Sequence, residues 1–98
     1  MYCKIYYVYL LTNTTNTVIY TGVTSSLLGR VGQHKLRKIK GFTTKYHISK
    51  LVYYEEYPVP YEAIYREKQI KNWKRRWKLD LIEKNNPNYD DLSVSWYN

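Results

Sequence analysis

The sequence predicts an α/β fold of the α+β type: a small three-stranded antiparallel sheet flanked by helices, in the order β-β-α-(α)-β-α-α. Three observations predict it. Residues 3–11 (CKIYYVYLL) are apolar on both alternating sets, the pattern of a central strand covered on both faces. The polar run TNTTNT separates that strand from Val18-Ile19-Tyr20, so the first two strands form a hairpin and pair antiparallel. After the hairpin, helical spacing alternates with one further β-rich stretch, which suits helices packed on a sheet.

In the first strand, Cys3, Ile5, Tyr7, Tyr9 and Leu11 share one face, and Tyr6, Val8 and Leu10 share the other. Gly22 ends the second strand. One of Thr24, Ser25 or Ser26 then caps a helix by accepting a backbone N–H bond from its first turn. This helix runs to about Lys38, with Leu27 and Val31 toward the core and Leu36 a further candidate. Gly29 and Gly32 inside it each cost about 1 kcal/mol relative to alanine. Either they admit a close neighbour or they mark a weak helix.

Residues 41–50 (GFTTKYHISK) read as a short helical or irregular connector, and Leu51 to Tyr57 as the third strand, stopped by Pro58-Val59-Pro60. Pro60 suits the start of a long helix from Tyr61 to about Arg75. Lys78 to Lys84 continues as helix after a bend, and Asn85-Asn86-Pro87-Asn88 breaks it. The tail Tyr89 to Asn98 carries three apolar anchors, Leu92, Val94 and Trp96, and is expected to dock. One domain over residues 1–98 is expected, with its core in 1–84 and the docked tail in 85–98.

A 98-residue chain buries only about 60–65% of its unfolded surface, so the core is modest. Its 13 tyrosines and 3 tryptophans help, each bringing a large apolar area with a polar tip. No apolar run approaches the roughly 20 residues of a membrane span, and the N-terminus lacks a secretory signal pattern. A cytoplasmic location without membrane contact is the expectation. The lone Cys3 excludes an internal disulfide and any cysteine-based zinc site.

The formal charge of +8 points to a polyanionic partner, nucleic acid before membrane. Two zones hold the positive charge. Residues 66–78 (REKQIKNWKRRWK) carry seven basic groups, one acid and two tryptophans. Arg30 to Lys50 carries seven basic groups and no acid.

Glu67 is the most telling single position. Ala63, Ile70, Lys74, Trp77 and Leu81 fall on one stripe of a continuous helix, and Glu67 lies within about 40° of its centre. Carboxylates are seldom buried alone. Either a nearby lysine or arginine pairs with it, or a shifted helix face leaves it exposed, or it binds a hard cation such as Mg²⁺, which commonly takes one or two carboxylates plus waters. Arg30 and His34, four residues apart, project from one side of their helix. They are either solvated surface groups or a phosphate-holding fork and a proton carrier. Tyr9 and Tyr20 read by themselves as core aromatics with hydrogen-bonded hydroxyls.

Taken together these residues resemble a known family. Tyr7-Val8-Tyr9 and Tyr20-Thr21-Gly22 are similar to the two name motifs of the GIY-YIG nuclease superfamily. Thr24-x-x-Leu27-x-x-Arg30-x-x-x-His34 follows, then Arg66-Glu67-Lys68-Gln69-Ile70-Lys71, then Asn86-Pro87-Asn88-Tyr89-Asp90-Asp91-Leu92. Five blocks in order cover nearly the whole chain. They resemble most closely the small standalone members, which look like the N-terminal catalytic domain of the excision-repair nuclease subunit.

The resemblance implies an endonuclease that hydrolyses DNA phosphodiester bonds, leaving 5′-phosphate and 3′-hydroxyl ends, with a repair or structure-selective role. Tyr9 and Tyr20 would line the site and position or deprotonate the attacking water. Arg30 would stabilise the phosphorane-like transition state, Glu67 would bind one Mg²⁺ or Mn²⁺, and His34 matches an accessory histidine. Lys35, Lys71, Lys74, Arg75, Arg76 and Lys78 are expected to contact nucleic acid, with DNA the expected partner and RNA the alternative. A protein partner or DNA structure would supply specificity. Two departures stand out: Tyr7 replaces the glycine of the first motif, and Thr21 the isoleucine of the second. Asn86 and Lys78 both stand as candidates for a late polar group at the site. The competing reading is a non-catalytic nucleic-acid-binding module, favoured by the Tyr7 departure and by aromatic rings available for base stacking.

Overall fold

The computed structural model describes residues 4–36, 41 and 45–97. Three strands, β1 (Tyr6–Thr12), β2 (Ile19–Thr24) and β3 (Lys50–Tyr57), form one antiparallel sheet in the order β2-β1-β3. Three helices are described: α1 (Leu27–Lys35), α2 (Pro60–Lys71) and α3 (Arg75–Asn85). β1 is central, as its two apolar faces require. Val8 and Leu10 pack with Val52, Ala63, Ile70 and Ile82 beneath α2 and α3. Tyr9 and Leu11 pack with Leu27, Val31, Ile48 and Leu51 on the α1 side.

Two features of the sheet position the site. β2 does not stop at Gly22 but runs two residues further, so Gly22 pairs directly with Tyr9. The Tyr9 ring lies over that glycine, and a Cβ there would come within 2.5 Å of the Tyr9 ring and hydroxyl. The glycine is therefore required by close approach inside the strand rather than by a turn. In β3, an irregularity in the register between Leu10 and Leu11 leaves Val52 opposite no residue of β1. Val52 and Tyr53 consequently face the α2 side together, and Tyr54 is turned onto the α1 side opposite Tyr9.

Several boundaries differ from expectation. α1 ends at Lys35 with Leu36 as its C-cap, and Leu36 is 67% exposed rather than core. The expected end at Lys38 and most of the connector over 41–50 lie outside the described residues. Ser26 is the N-cap, but no side chain caps the helix; the Thr24 hydroxyl instead accepts the Ser26 amide at 3.0 Å. Gly32 admits a close neighbour, the Tyr97 ring, whose hydroxyl donates to the Leu28 carbonyl.

The long second helix is two helices. α2 stops at Lys71, with Asn72 as C-cap and Lys74 extended ahead of α3. The break ends the buried stripe at Ile70, so Trp77 is 52% exposed instead of continuing it.

The tail docks by polar contacts more than by the expected anchors. The Leu92 amide donates to the Leu51 carbonyl, and the Asp91 carboxylate accepts the Leu51 amide, the Lys35 ammonium and both the amide and hydroxyl of Ser93. Ser93 is fully buried, while Val94 is 77% exposed and Leu92 lies partly open. Of the three predicted anchors only Trp96 packs against the core. No helix among the described residues is long and apolar enough to cross a membrane.

Candidate active site

Three elements bring the sequence-predicted residues together. β1 supplies Tyr9, β2 supplies Tyr20, and α1 supplies Arg30 and His34 one turn apart. The Tyr9 hydroxyl lies 3.2 Å from His34 Nε2 in the buried interior. The Tyr9 and Tyr20 ring centroids are 6.2 Å apart, and Tyr20 and His34 are 5.4 Å apart, so the three rings form one tilted cluster. Glu67 comes from α2, on the far side of the sheet, yet its charge and that of Arg30 are both felt at the Tyr9 hydroxyl.

Electrostatics assign these groups different states. Burial, and secondarily the Arg30 guanidinium, push the His34 imidazole down from its ordinary 6.5 to about 4. His34 is thus neutral at physiological pH and a weak proton acceptor. Burial, followed by the neighbouring Tyr20 and Glu67 charge, raises the Tyr9 phenol well above its usual range. Tyr9 therefore stays protonated and acts as a hydrogen-bonding group. Arg30 is exposed and has no carboxylate partner among the described residues, which leaves its planar fork open to an anion.

Glu67 is buried, and the Lys71 ammonium lies 2.7 Å from its carboxylate one helical turn away. This realises the expected internal ion pair and rules out an exposed Glu67, without removing the cation-ligand reading, because Lys71 is half exposed and can swing into solvent. Among the described residues no group of three or more His, Cys, Asp or Glu could hold a metal. A cation at Glu67 would have that carboxylate as its protein anchor and take its other ligands from water and phosphate, the usual pattern for Mg²⁺.

The predicted nucleic-acid contacts divide. Lys35 is held by Asp91, and Arg76 bridges Asp80 and Glu83, both at 2.9 Å. Arg66, in the same basic segment, is bound by Glu55, which also accepts the Tyr53 and Tyr57 hydroxyls. These cations are engaged within the fold. Arg75 donates to the Asn16 carbonyl and keeps its charge uncompensated, and Lys74 lies over the Trp77 ring. Burial lowers the Lys78 ammonium, and Arg75 and Lys71 lower it further; of these three cations Lys71 is the one paired with Glu67. Asn86 is engaged within the fold. Its side-chain amide donates to the Val52 and Asp90 carbonyls and accepts the Asp90 amide.

The chain matches the family model of the GIY-YIG catalytic domain over residues 5–80. It belongs to the GIY-YIG family. It is 35% identical over 78 residues to the UPF0213 protein SH2523 of Staphylococcus haemolyticus, an alignment covering 80% of this chain and 94% of that protein. Its fold is similar to the solution NMR structure of the UPF0213 protein BH0048 from Bacillus halodurans, with a TM-score of 0.56 and 26% identity. That match covers 93% of this chain and 97% of the other. Membership places the chain in a nuclease superfamily whose substrates are nucleic acids.

Within the GIY-YIG frame, the two departures have distinct surroundings. Thr21 is buried facing the α2 side, and its hydroxyl has no hydrogen-bond partner among the described residues. Tyr7 stands on the site face, edge-on to Tyr54 at 6.2 Å. Sequence reasoning did not single out Tyr54. Its signal was obscured because the β3 irregularity reverses the strand's alternation between Val52 and Tyr54.

Proposed function

We propose that this GIY-YIG protein is a metal-dependent endonuclease that hydrolyses phosphodiester bonds in DNA with weak sequence preference. The proposal is supported by Arg30 and the Tyr9–Tyr20–His34 cluster, supplied by three separate elements, together with the buried carboxylate of Glu67 on a fourth. Transfer to phosphorus needs charge neutralisation on the non-bridging oxygens, a placed nucleophile and a proton acceptor. Arg30 can hold two phosphate oxygens with its fork. The Tyr9 and Tyr20 hydroxyls orient a water, Tyr9 being held in turn by neutral His34, and the water's proton passes to a non-bridging phosphate oxygen or to solvent.

Attack of that water forms a new P–O bond and breaks the P–O3′ bond, giving a 5′-phosphate and a 3′-hydroxyl that takes up a proton. Glu67 is the residue that would hold Mg²⁺ or Mn²⁺, with Lys71 displaced from it; such an ion, when bound, supplies Lewis-acid stabilisation of the phosphoryl charge. Lys71 released in this way joins Arg75 and Lys78 as a phosphate contact. Those contacts bind backbone without reading sequence, so target choice falls to DNA structure or to a partner protein. A cytoplasmic role in repair is consistent with this chemistry.

The test is a cleavage panel: supercoiled, nicked and branched DNA, and a matched RNA, each with Mg²⁺ or Mn²⁺, for wild type and Arg30→Ala. The proposal expects wild-type cleavage of DNA that Arg30→Ala loses by about 100-fold or more, as for removal of one transition-state donor. Cleavage retained equally by the variant would point to a contaminant and overturn the proposal. Salt-sensitive binding with no cleavage on any substrate would favour a non-catalytic binding module.

A further inference from the structure

Beside the proposed site, on the α1 face of the sheet, lies a cleft of about 420 Å³ that the chemistry above does not use. It falls within the roughly 300–1,000 Å³ of small-ligand sites. Its walls are the rings of Tyr7, Tyr54 and Trp96, with the Ser25 and Ser26 hydroxyls and the Glu56 carboxylate at its edge. Tyr54 meets Tyr7 at 6.2 Å and Trp96 at 6.3 Å, edge-on to both. All three rings are partly exposed.

The lining selects a class of ligand. Glu56 is the one charged group among the lining residues, so the cleft repels rather than attracts a phosphate. A flat, uncharged ring with amino groups on its edge suits it: aromatic faces stack on bases irrespective of sequence, and a glutamate accepts from an exocyclic amine. Tyr7 is two residues from Tyr9 on the same strand face, a separation of about 6.6 Å. A phosphate held at Arg30 and Tyr9 would therefore place a neighbouring nucleotide at the cleft.

Resting on the nuclease reading for its orientation, we infer that the cleft is a nucleobase subsite, holding an unpaired base next to the cleaved phosphate by stacking on Tyr7. The β3 irregularity contributes by turning Tyr54 onto this face, and the docked tail contributes by supplying Trp96. A base inside a duplex has its faces covered by its neighbours, so the subsite engages only a base that has left the stack.

The test measures binding without metal, in EDTA, by fluorescence anisotropy. One ligand is a single-stranded DNA octamer; the other is an octamer of abasic sites with the same phosphates. Wild type is expected to bind the base-bearing strand on the order of 10-fold tighter. Tyr7→Phe keeps that ratio, whereas Tyr7→Gly brings it close to one while still binding the abasic strand as wild type does. Equal affinity of wild type for the two strands overturns the inference, as does a ratio that Tyr7→Gly leaves intact. Because no cleavage is read, a failure here is separate from a failure of the nuclease proposal, which the metal-dependent panel decides.

Discussion

At the scale of single residues, His34 links stability to the site. Between its ordinary 6.5 and about 4, the unfolded chain binds a proton that folded His34 refuses. Stability conferred by the neutral imidazole is thus fully present above pH 6.5 and falls as pH drops through that window, by up to about 3 kcal/mol. Glu55 and Asp91 are held below the ordinary carboxylate range: burial alone would raise both, but the bonds from Arg66, Tyr53 and Tyr57 to Glu55, and from Lys35 and Ser93 to Asp91, outweigh it. Their losses therefore come at lower pH, and a decline between pH 6.5 and 5 belongs to His34. Thermal melts should show that decline in wild type and a flatter curve in His34→Gln; parallel curves would contradict the assignment.

Thr21 gives a second residue-scale expectation. Its buried hydroxyl is unpaired, and such a group costs about 1–3 kcal/mol. Thr21→Val, which keeps the shape and removes the oxygen, should raise stability by about 1 kcal/mol in denaturant unfolding. A lower midpoint would mean that the hydroxyl has work to do in the native state.

At the scale of elements, the tail is held by one carboxylate more than by its apolar residues. Asp91 joins Lys35 of α1, Leu51 of β3 and Ser93 of the tail. Asp91→Ala should cost about 2 kcal/mol, given the charge-assisted bonds it loses, and should expose the segment after Asn88 to limited proteolysis. Unchanged protection of that segment would show that Trp96 and Tyr97 suffice.

The elements also show what the sequence could disclose. β1 was legible because a strand covered on both faces must be apolar at every position, and Tyr6 to Leu11 are. The break between α2 and α3 was hidden, since Lys74 and Trp77 continue the helical period of Ala63 and Ile70 although they lie beyond Asn72. Gly22 read as a strand end because glycine usually punctuates; only the pairing with Tyr9 shows that it clears space for a ring. Arg30, His34 and Glu67 were findable as motif residues, but the packing of His34 against Tyr9 and Tyr20 is tertiary. No spacing in the chain announces that a histidine of α1 reaches the hydroxyl of a tyrosine of β1.

At the scale of the whole molecule, the net charge of +8 overstates the surface offered to DNA. Lys35, Arg66 and Arg76 are paired with carboxylates of the chain, whereas Arg30, Lys74, Arg75 and Lys78, among the expected contacts, have no carboxylate partner among the described residues. Without metal, Lys71 stays paired to Glu67, and neutralising four phosphates gives log K against log salt a slope of about −3.6 for duplex DNA. Titrations at several salt concentrations should find a slope near that value, reduced by about 1 in Arg75→Ala and unchanged in Arg76→Ala. A much steeper slope would mean that the internal ion pairs open on binding.

The central claim is that Glu67 and Arg30 serve one phosphodiester-cleaving site. Its most direct test is the single-turnover cleavage rate of an end-labelled DNA with Mn²⁺ for wild type and Glu67→Gln, at protein concentrations that saturate binding in both. Glu67→Gln is expected to fold and bind DNA but to cleave at least about 100-fold more slowly. Cleavage by Glu67→Gln at the wild-type rate would contradict the claim.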